Sequence, residues 1–231
     1  TEYRFQYYID LEGMRVADIY SDKILDPWND SWIPETTYPN LIDYPNGLTS
    51  EPVSVFRTDP PVFNWTDQSF VRPTKTKLVV YELLIRDFVA DRRYKTVADS
   101  LGYLKKLGIN AIELMPVAEF SGNDSWGYNP IFYTAPDKAY GTKNDLKYLI
   151  DKCHENGMAV IMDIVLNQAD YENPYVKMYW DGSKPVTTSP FFNPSATHPY
   201  SVFFDFNHES AHTQWLVDVV TKFWLQEYKI D

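Results

Sequence analysis

The stretch "NDLKYLIDKCHENGMAVIMDIVLNQAD", residues 144–170, holds the pattern from which the fold is read. Leu146, Leu149, Ile150 and Cys153 recur at helical spacing, and Gly157 supplies the stop that a helix C-terminus favours. The apolar run at 158–166 then has the length of a buried strand rather than a second helix. It is interrupted by Asp163 and closed by Asn167 and Gln168. A helix leading directly into a buried strand is half of a crossover unit. An acid and two amides at the tip of such a strand raise the question of their role, and for Asp163 taken alone a buried salt bridge is the simpler reading.

The same rhythm extends in both directions. "KLVVYELLIRDF" (77–88) reads as a strand, and "TVADSLGYLKKLG" (96–108) as a helix with Thr96 as N-cap, Leu101, Leu104 and Leu107 on one stripe, and Gly108 as stop. "NAIELMPV" (110–117) is a second strand, and after an irregular insertion at about 169–207, "ESAHTQWLVDVVTKFWLQEY" (209–228) is a third helix. Such alternation implies parallel strands joined by right-handed crossovers, in a doubly wound sheet or a (β/α)8 barrel. No glycine-rich, phosphate-cradling loop follows any strand, which favours the barrel. Three units begin a barrel of eight, and "EYKID" (227–231) stands where a fourth strand would start, so the chain is expected to be a piece of a longer protein. The expected fold class is α/β: a partial (β/α)8 TIM barrel, its first three βα units at 76–231, with a β-rich accessory segment before it.

Residues 1–75 have a different texture. "YRFQYYID" (3–10) alternates Tyr3, Phe5, Tyr7 and Ile9 with more polar neighbours, and "LEGMRVADIY" (11–20) follows with Gly13 as a turn, so one hairpin at most is expected. "DPWNDSWIPETTYPNLIDYPNG" (26–47) is too rich in Pro, Asn and Trp for long helices and reads as an ordered loop, and "VRPTKTK" (71–77) as a linker. The formal net charge of -11 disfavours nucleic acid and anionic lipid as partners. No stretch reaches the roughly 18 apolar residues of a membrane span. A signal-peptide pattern is absent at the N-terminus, but the first residue is Thr1, so cytoplasmic, periplasmic and secreted locations all stay open. The 18 Tyr and 7 Trp suit stacking on flat, weakly polar ligands such as sugar rings. The lone Cys153 reads as packing, and His154 and His198 as surface residues.

In a parallel barrel the side chains that do chemistry project from the C-terminal strand ends. Those ends carry "EFSGNDSWGYNP" (119–130) and the Asp163, Asn167, Gln168 cluster. In order along the chain, "WGYNPIFYTAPDKAYGT" (126–142), "DIVLNQ" (163–168) and "FFDFNHES" (203–210) resemble the α-amylase family, glycoside hydrolase family 13, over residues 78–231. Residues 1–75 resemble the end of the immunoglobulin-like accessory domain that often precedes its barrel, plus a loop.

The resemblance implies a glycoside hydrolase acting on α-linked glucans of starch or glycogen type by a retaining mechanism, with an oligosaccharide or polysaccharide as partner. Tyr128 matches the tyrosine whose ring stacks on the sugar at the cleavage point, with Trp126 beside it. Asp163 matches a supporting aspartate that orients an arginine and the nucleophile of the next strand. Asn167 and Asp205 match positions that in many members ligate a structural calcium, a metal that takes oxygen ligands. Gln168 departs from the usual histidine on sugar hydroxyls, so a Gln168→His change is expected to alter activity or products. The family's nucleophilic Asp, acid/base Glu and second Asp end strands four, five and seven, beyond Asp231. These residues alone are therefore expected to lack the catalytic pair, to leave starch intact, and to aggregate without the C-terminal half of their barrel. Glu113 with Asp163 is a conceivable carboxylate pair, although Glu113 is more simply an inward residue paired with a base such as Arg86.

Two rival classes have sequence support. "HESAH" (208–212) satisfies the H-E-x-x-H zinc-protease pattern through His208, Glu209 and His212, but zincin histidines sit inside an established helix. Here the motif begins one, with Asn207 as N-cap and Glu209 in the first turn, where the helix dipole favours an anion. The aromatic content also suits a glycan-binding protein without catalysis.

Overall fold

The structure is a computed structural model that describes residues 1–67 and 69–231. Two small antiparallel units come first. β1 (Glu2–Phe5) is followed by the hairpin β2 (Tyr7–Ile9) and β3 (Met14–Val16), turned at Gly13 with φ 63°. β4 (Ile24–Leu25) and β5 (Val53–Arg57) complete a three-stranded sheet in the order β1-β5-β4. The expected single hairpin forms as β2–β3, while β1 finds its partner far along the chain, with Tyr3 opposite Phe56. Local alternation carries no information about so distant a register. Ala17, Ile19 and Ile24 of this segment belong to the same buried cluster as the residues around the parallel sheet.

β6 (Val80–Leu83) opens that sheet and ends sooner than the apolar run suggests. α1 (Ile85–Phe88) is a single helical turn, held by the Asp87 and Phe88 amides on the Leu84 carbonyl at 3.0 and 2.9 Å. An apolar run is equally content in strand or helix, so composition could not place the boundary. α2 (Tyr94–Asp99) and α3 (Leu101–Lys106) meet at Ser100, whose hydroxyl donates to the Thr96 carbonyl at 3.0 Å. Arg93, not Thr96, precedes the first turn, and the Thr96 hydroxyl instead donates to Asp91 at 2.6 Å. The buried stripe is Tyr94, Val97, Leu101 and Leu104, while Leu107 is 52% exposed.

β7 (Ala111–Leu114), α4 (Lys143–Glu155) and β8 (Ala159–Met162) follow. Thr142 and Asp145 form a reciprocal capping box at the start of α4. At its end the Gly157 amide reaches the His154 carbonyl and the Met158 amide the Cys153 carbonyl, a Schellman closure with Gly157 at φ 75°. Cys153 is buried among this helix's core residues. The sheet is parallel in the order β6-β7-β8, with Tyr81, Ile112 and Val160 in one row and Glu82, Glu113 and Ile161 in the next. Ile112 and Val160 are fully buried, whereas Glu82 is exposed and Glu113 and Ile161 partly so.

Within the insertion, β9 (Gln168–Ala169) and β10 (Phe204–Asp205) pair antiparallel, with α5 (Pro174–Met178) between them capped by Asn173. α6 (Ala211–Glu227) starts at Ser210, whose hydroxyl accepts the His212 amide at 3.3 Å. Asn207 lies too early to cap it and accepts the Glu209 amide at 3.1 Å in the turn before. α6 buries Leu216, Val220 and Trp224 and returns the chain to β8, where the Asp231 amide donates to the Val160 carbonyl at 2.9 Å. The architecture is a parallel sheet flanked by helices, a partial barrel preceded by a β-rich segment. Among the described residues, no helix is long and apolar enough to cross a membrane.

His154 is buried, not at the surface. Its ring nitrogens contact Asp67 at 2.7 Å and Asp231 at 2.9 Å, and its face stacks on Phe70 at 4.1 Å. Lys229 and Arg72 attend the same two carboxylates. Burial alone would push the imidazole down, but the hydrogen bonds and charges of Asp231 and Asp67 raise it overall. A raised pKa contributes stability that is full below the unfolded value of about 6.5 and is lost as pH rises through the folded one. The melting temperature is therefore expected to fall on going from pH 6 toward 8, and His154→Asn to flatten that slope; an equal slope in wild type and variant would refute the assignment. His198 is half-buried and contacts Asp205 at 3.0 Å.

Candidate functional site

The C-terminal ends of β7 and β8 meet in one place. The Asp163 amide continues the ladder one residue past β8 by donating to the Leu114 carbonyl at 2.9 Å. By the two-residue period its side chain falls on the face of Ile161, in whose row stand Glu82 and Glu113. Tyr128, from the loop after β7, donates its phenol to Asp163 Oδ2 at 2.6 Å. Tyr128 is 36% exposed and Trp126, two residues earlier in the same loop, is 59% exposed, so both rings present area to solvent. Burial first, then the hydrogen bond and charge of Asp163, with Glu82 and Glu113 behind them, push the phenol well above its ordinary range. It stays protonated, and so remains a donor to Asp163.

The loop that carries these rings is tied down on each side. Ser121 and Asn129 are joined by an amide-to-carbonyl bond and by the Asn129 side chain on the Ser121 carbonyl at 2.8 Å. Asn129 also takes the Ser125 hydroxyl, and the Asn123 amide reaches the Asn29 carbonyl at 2.7 Å. Arg86 does not pair with Glu113 as expected; it binds Asp87 at 2.8 Å and Asp124 at 3.0 Å, and so holds the loop rather than the sheet interior. Gly127, at φ 87°, lies against Pro116, and a Cβ there would meet Pro116 Cβ and its carbonyl oxygen at 2.7 Å. Gly127→Ala is expected to cost about 1–3 kcal/mol from strained backbone and contact. Calorimetry should record a melting point lower by several degrees; an unchanged melt would show that the loop yields freely.

Gln168 is buried, and its amide is engaged by protein. Nε2 donates to the Tyr128 carbonyl at 2.9 Å, Oε1 accepts from the Asn167 amide at 2.9 Å, and the Gln168 carbonyl accepts the Tyr133 hydroxyl at 2.6 Å. Asn167 itself is exposed. Asp205 is buried, with Oδ2 taking the Asn193 amide at 2.7 Å and Oδ1 the His198 ring at 3.0 Å. Both oxygens of Asp205 and the side-chain nitrogen of Asn167 thus have protein partners. No group of three or more His, Cys, Asp or Glu able to hold a metal occurs among the described residues. Calcium takes six to eight oxygens, so Asn167 and Asp205 would be only part of such a site. For the zinc alternative, His208 precedes the N-cap of α6 and donates Nε2 to the Leu166 carbonyl at 2.9 Å, so the two histidines do not share a helix face.

Sequence reasoning missed Glu82, Arg86–Asp124 and Gln168's turn into the protein. A lone acid inside an apolar strand, the signal that singled out Asp163, was equally present at Glu82. The partners of Arg86 and Gln168 lie 38 and 40 residues away and left no local trace.

A parallel, barrel-type sheet flanked by helices, with Tyr128 bonded to Asp163 past the C-terminal strand ends, defines the class of protein: an α/β scaffold of partial-barrel type. Residues 86–230 match the family model described as alpha amylase, catalytic domain, and the chain belongs to that family. The β-rich residues before position 86 lie outside the match. Malto-oligosyltrehalose trehalohydrolase from Saccharolobus solfataricus is 31% identical over 227 residues, 96% of this chain and 36% of that protein. The 1,4-alpha-glucan branching enzyme GlgB of Picrophilus torridus is 41% identical over 108 residues, 45% of this chain and 15% of the enzyme. Among solved structures, a putative alpha amylase from Salmonella typhimurium superposes with a TM-score of 0.72 at 27% identity, covering 95% of this chain and 32% of that one. The chain thus spans 15% and 36% of the lengths of these two curated relatives.

Proposed function

We propose that the protein is a glycoside hydrolase of α-linked glucans, and that residues 78–231 supply the first part of its substrate cleft. The observation that carries this reading is the 2.6 Å bond from Tyr128 to Asp163, which joins two strand-end loops into one floor beside the exposed Trp126. The axial hydrogens of a pyranose give it an apolar face that fits an aromatic ring, while a carboxylate at the ring's edge orients polar groups around it. In this reading Asp163 supports the chemistry, Tyr128 and Trp126 hold the sugar, and Gln168 belongs to the same constellation. The carboxyl pair of a retaining mechanism, about 5 Å apart across the scissile bond, is supplied from outside these 231 residues. Relatives named a trehalohydrolase and a branching enzyme share this region, so hydrolysis and transfer both lie within the class.

The test is turnover of starch and glycogen by the complete gene product, with proton NMR following the anomer released. The α-anomer should appear first, and residues 1–231 alone should release no reducing sugar. Tight glucan binding without any turnover by the complete product would instead favour a non-catalytic glycan-binding protein.

A further inference from the structure

Gln168 combines a long polar side chain, a place beside the proposed cleft, and burial. Its reach ends on main chain: the amide nitrogen donates to the carbonyl of Tyr128 at 2.9 Å. The amide is itself oriented from behind, because Asn167 Nδ2 donates to Gln168 Oε1 at 2.9 Å. Its own backbone is fixed by the Tyr133 hydroxyl on its carbonyl at 2.6 Å and by pairing of β9 with β10. Gln168 therefore grips one end of Tyr128, the peptide carbonyl, while Asp163 grips the other, the phenol, at 2.6 Å. A residue held at both ends presents its ring at one angle.

We infer that Gln168 is a positioning residue that sets the angle of the Tyr128 ring for a glucan, through the Tyr128 carbonyl and without touching sugar. The inference rests on the sugar-cleft reading above for the identity of the ligand, but the clamp stands on the protein's own geometry. Each end of this amide already holds a protein partner, and with Gln168 only 5% exposed little of its remaining donor and acceptor capacity is open to sugar. Without the Nε2 donor, the Tyr128 carbonyl loses a partner in a partly buried setting, and the loop at 121–130 gains freedom.

The test uses Gln168→Glu in the complete gene product, which keeps the shape and removes the donor. Maltoheptaose binding by calorimetry is expected to weaken about tenfold, the equivalent of one hydrogen bond of about 1.4 kcal/mol. Tyr128→Ala and the double variant complete a cycle. If Gln168 acts through Tyr128, the two losses are strongly non-additive, and the double variant binds like Tyr128→Ala alone. Additive losses would mean an independent sugar contact and overturn the inference. Hydrogen exchange gives a second readout without ligand: amides in 121–130 should exchange faster in Gln168→Glu, whereas unchanged protection there would also overturn it. If wild type binds no glucan, the proposed function fails, and the exchange result alone decides whether the clamp exists.

Discussion

Lys138→Met is expected to destabilise the protein by about 3–5 kcal/mol, the cost of leaving a buried charge without its partner. That is a large fraction of a total of about 5–15 kcal/mol. Lys138 is buried, where it pairs with Glu119 and lies 3.2 Å from Asp30. Asp137 is the third acid, its carboxylate accepting the Ala139 and Phe120 amides at 2.8 and 3.2 Å. Burial pushes Asp137 up to about 7 and raises Glu119 as well, in each case against the pull of Lys138. Burial would lower Lys138, but Glu119, Asp30 and Asp137 together hold it raised and charged. Methionine fills similar volume, so the substitution isolates the electrostatic loss from a cavity. The carboxylates it strands have raised pKa values, and protonation relieves them; the deficit should shrink as pH falls below 7. Glu119→Gln added to Lys138→Met should recover part of the loss. Urea unfolding at pH 7.5 and 5.5 measures all of this, and a variant as stable as wild type at both values would refute it.

Tyr128→Ala is the second large effect. Truncating an aromatic anchor at the centre of a binding surface costs about 2 kcal/mol or more, so the dissociation constant for maltoheptaose should rise about 30-fold. Tyr128→Phe keeps the ring and loses only the bond to Asp163, so it should cost severalfold at most. The order matters more than either size, because in the proposed cleft the ring binds and the hydroxyl aims. Equal losses in both variants would assign the energy to the hydroxyl and remove the stacking role.

What could be read in the residues was what local periodicity and stop signals encode. Leu146, Leu149, Ile150 and Cys153 placed α4, Gly157 closed it, and the apolar runs around Ile112 and Val160 became neighbouring parallel strands. Boundaries failed where chemistry was ambiguous: Leu83 and Ile85 are equally apolar, yet one ends a strand and the other starts a helical turn. Long-range partners were invisible. His154 looked like a surface residue because Asp67 and Asp231 lie 87 and 77 positions away. β9 and β10 have two residues each, too short for any alternation to register. Tyr128 and Asp163 were recognisable as a motif, but their contact belongs to the fold. Gln168 carried a residue type without an orientation, and only its partners show that it faces the protein.

On the proposed function, the polar strand ends of β7 and β8 floor a sugar cleft. A crystal structure of the complete gene product soaked with maltoheptaose tests it most directly. One glucose ring should lie flat against Tyr128 at van der Waals distance, about 4 Å, with its hydroxyls toward Asp163. An oligosaccharide ordered elsewhere on the molecule, with the Tyr128 face bare, would contradict the account.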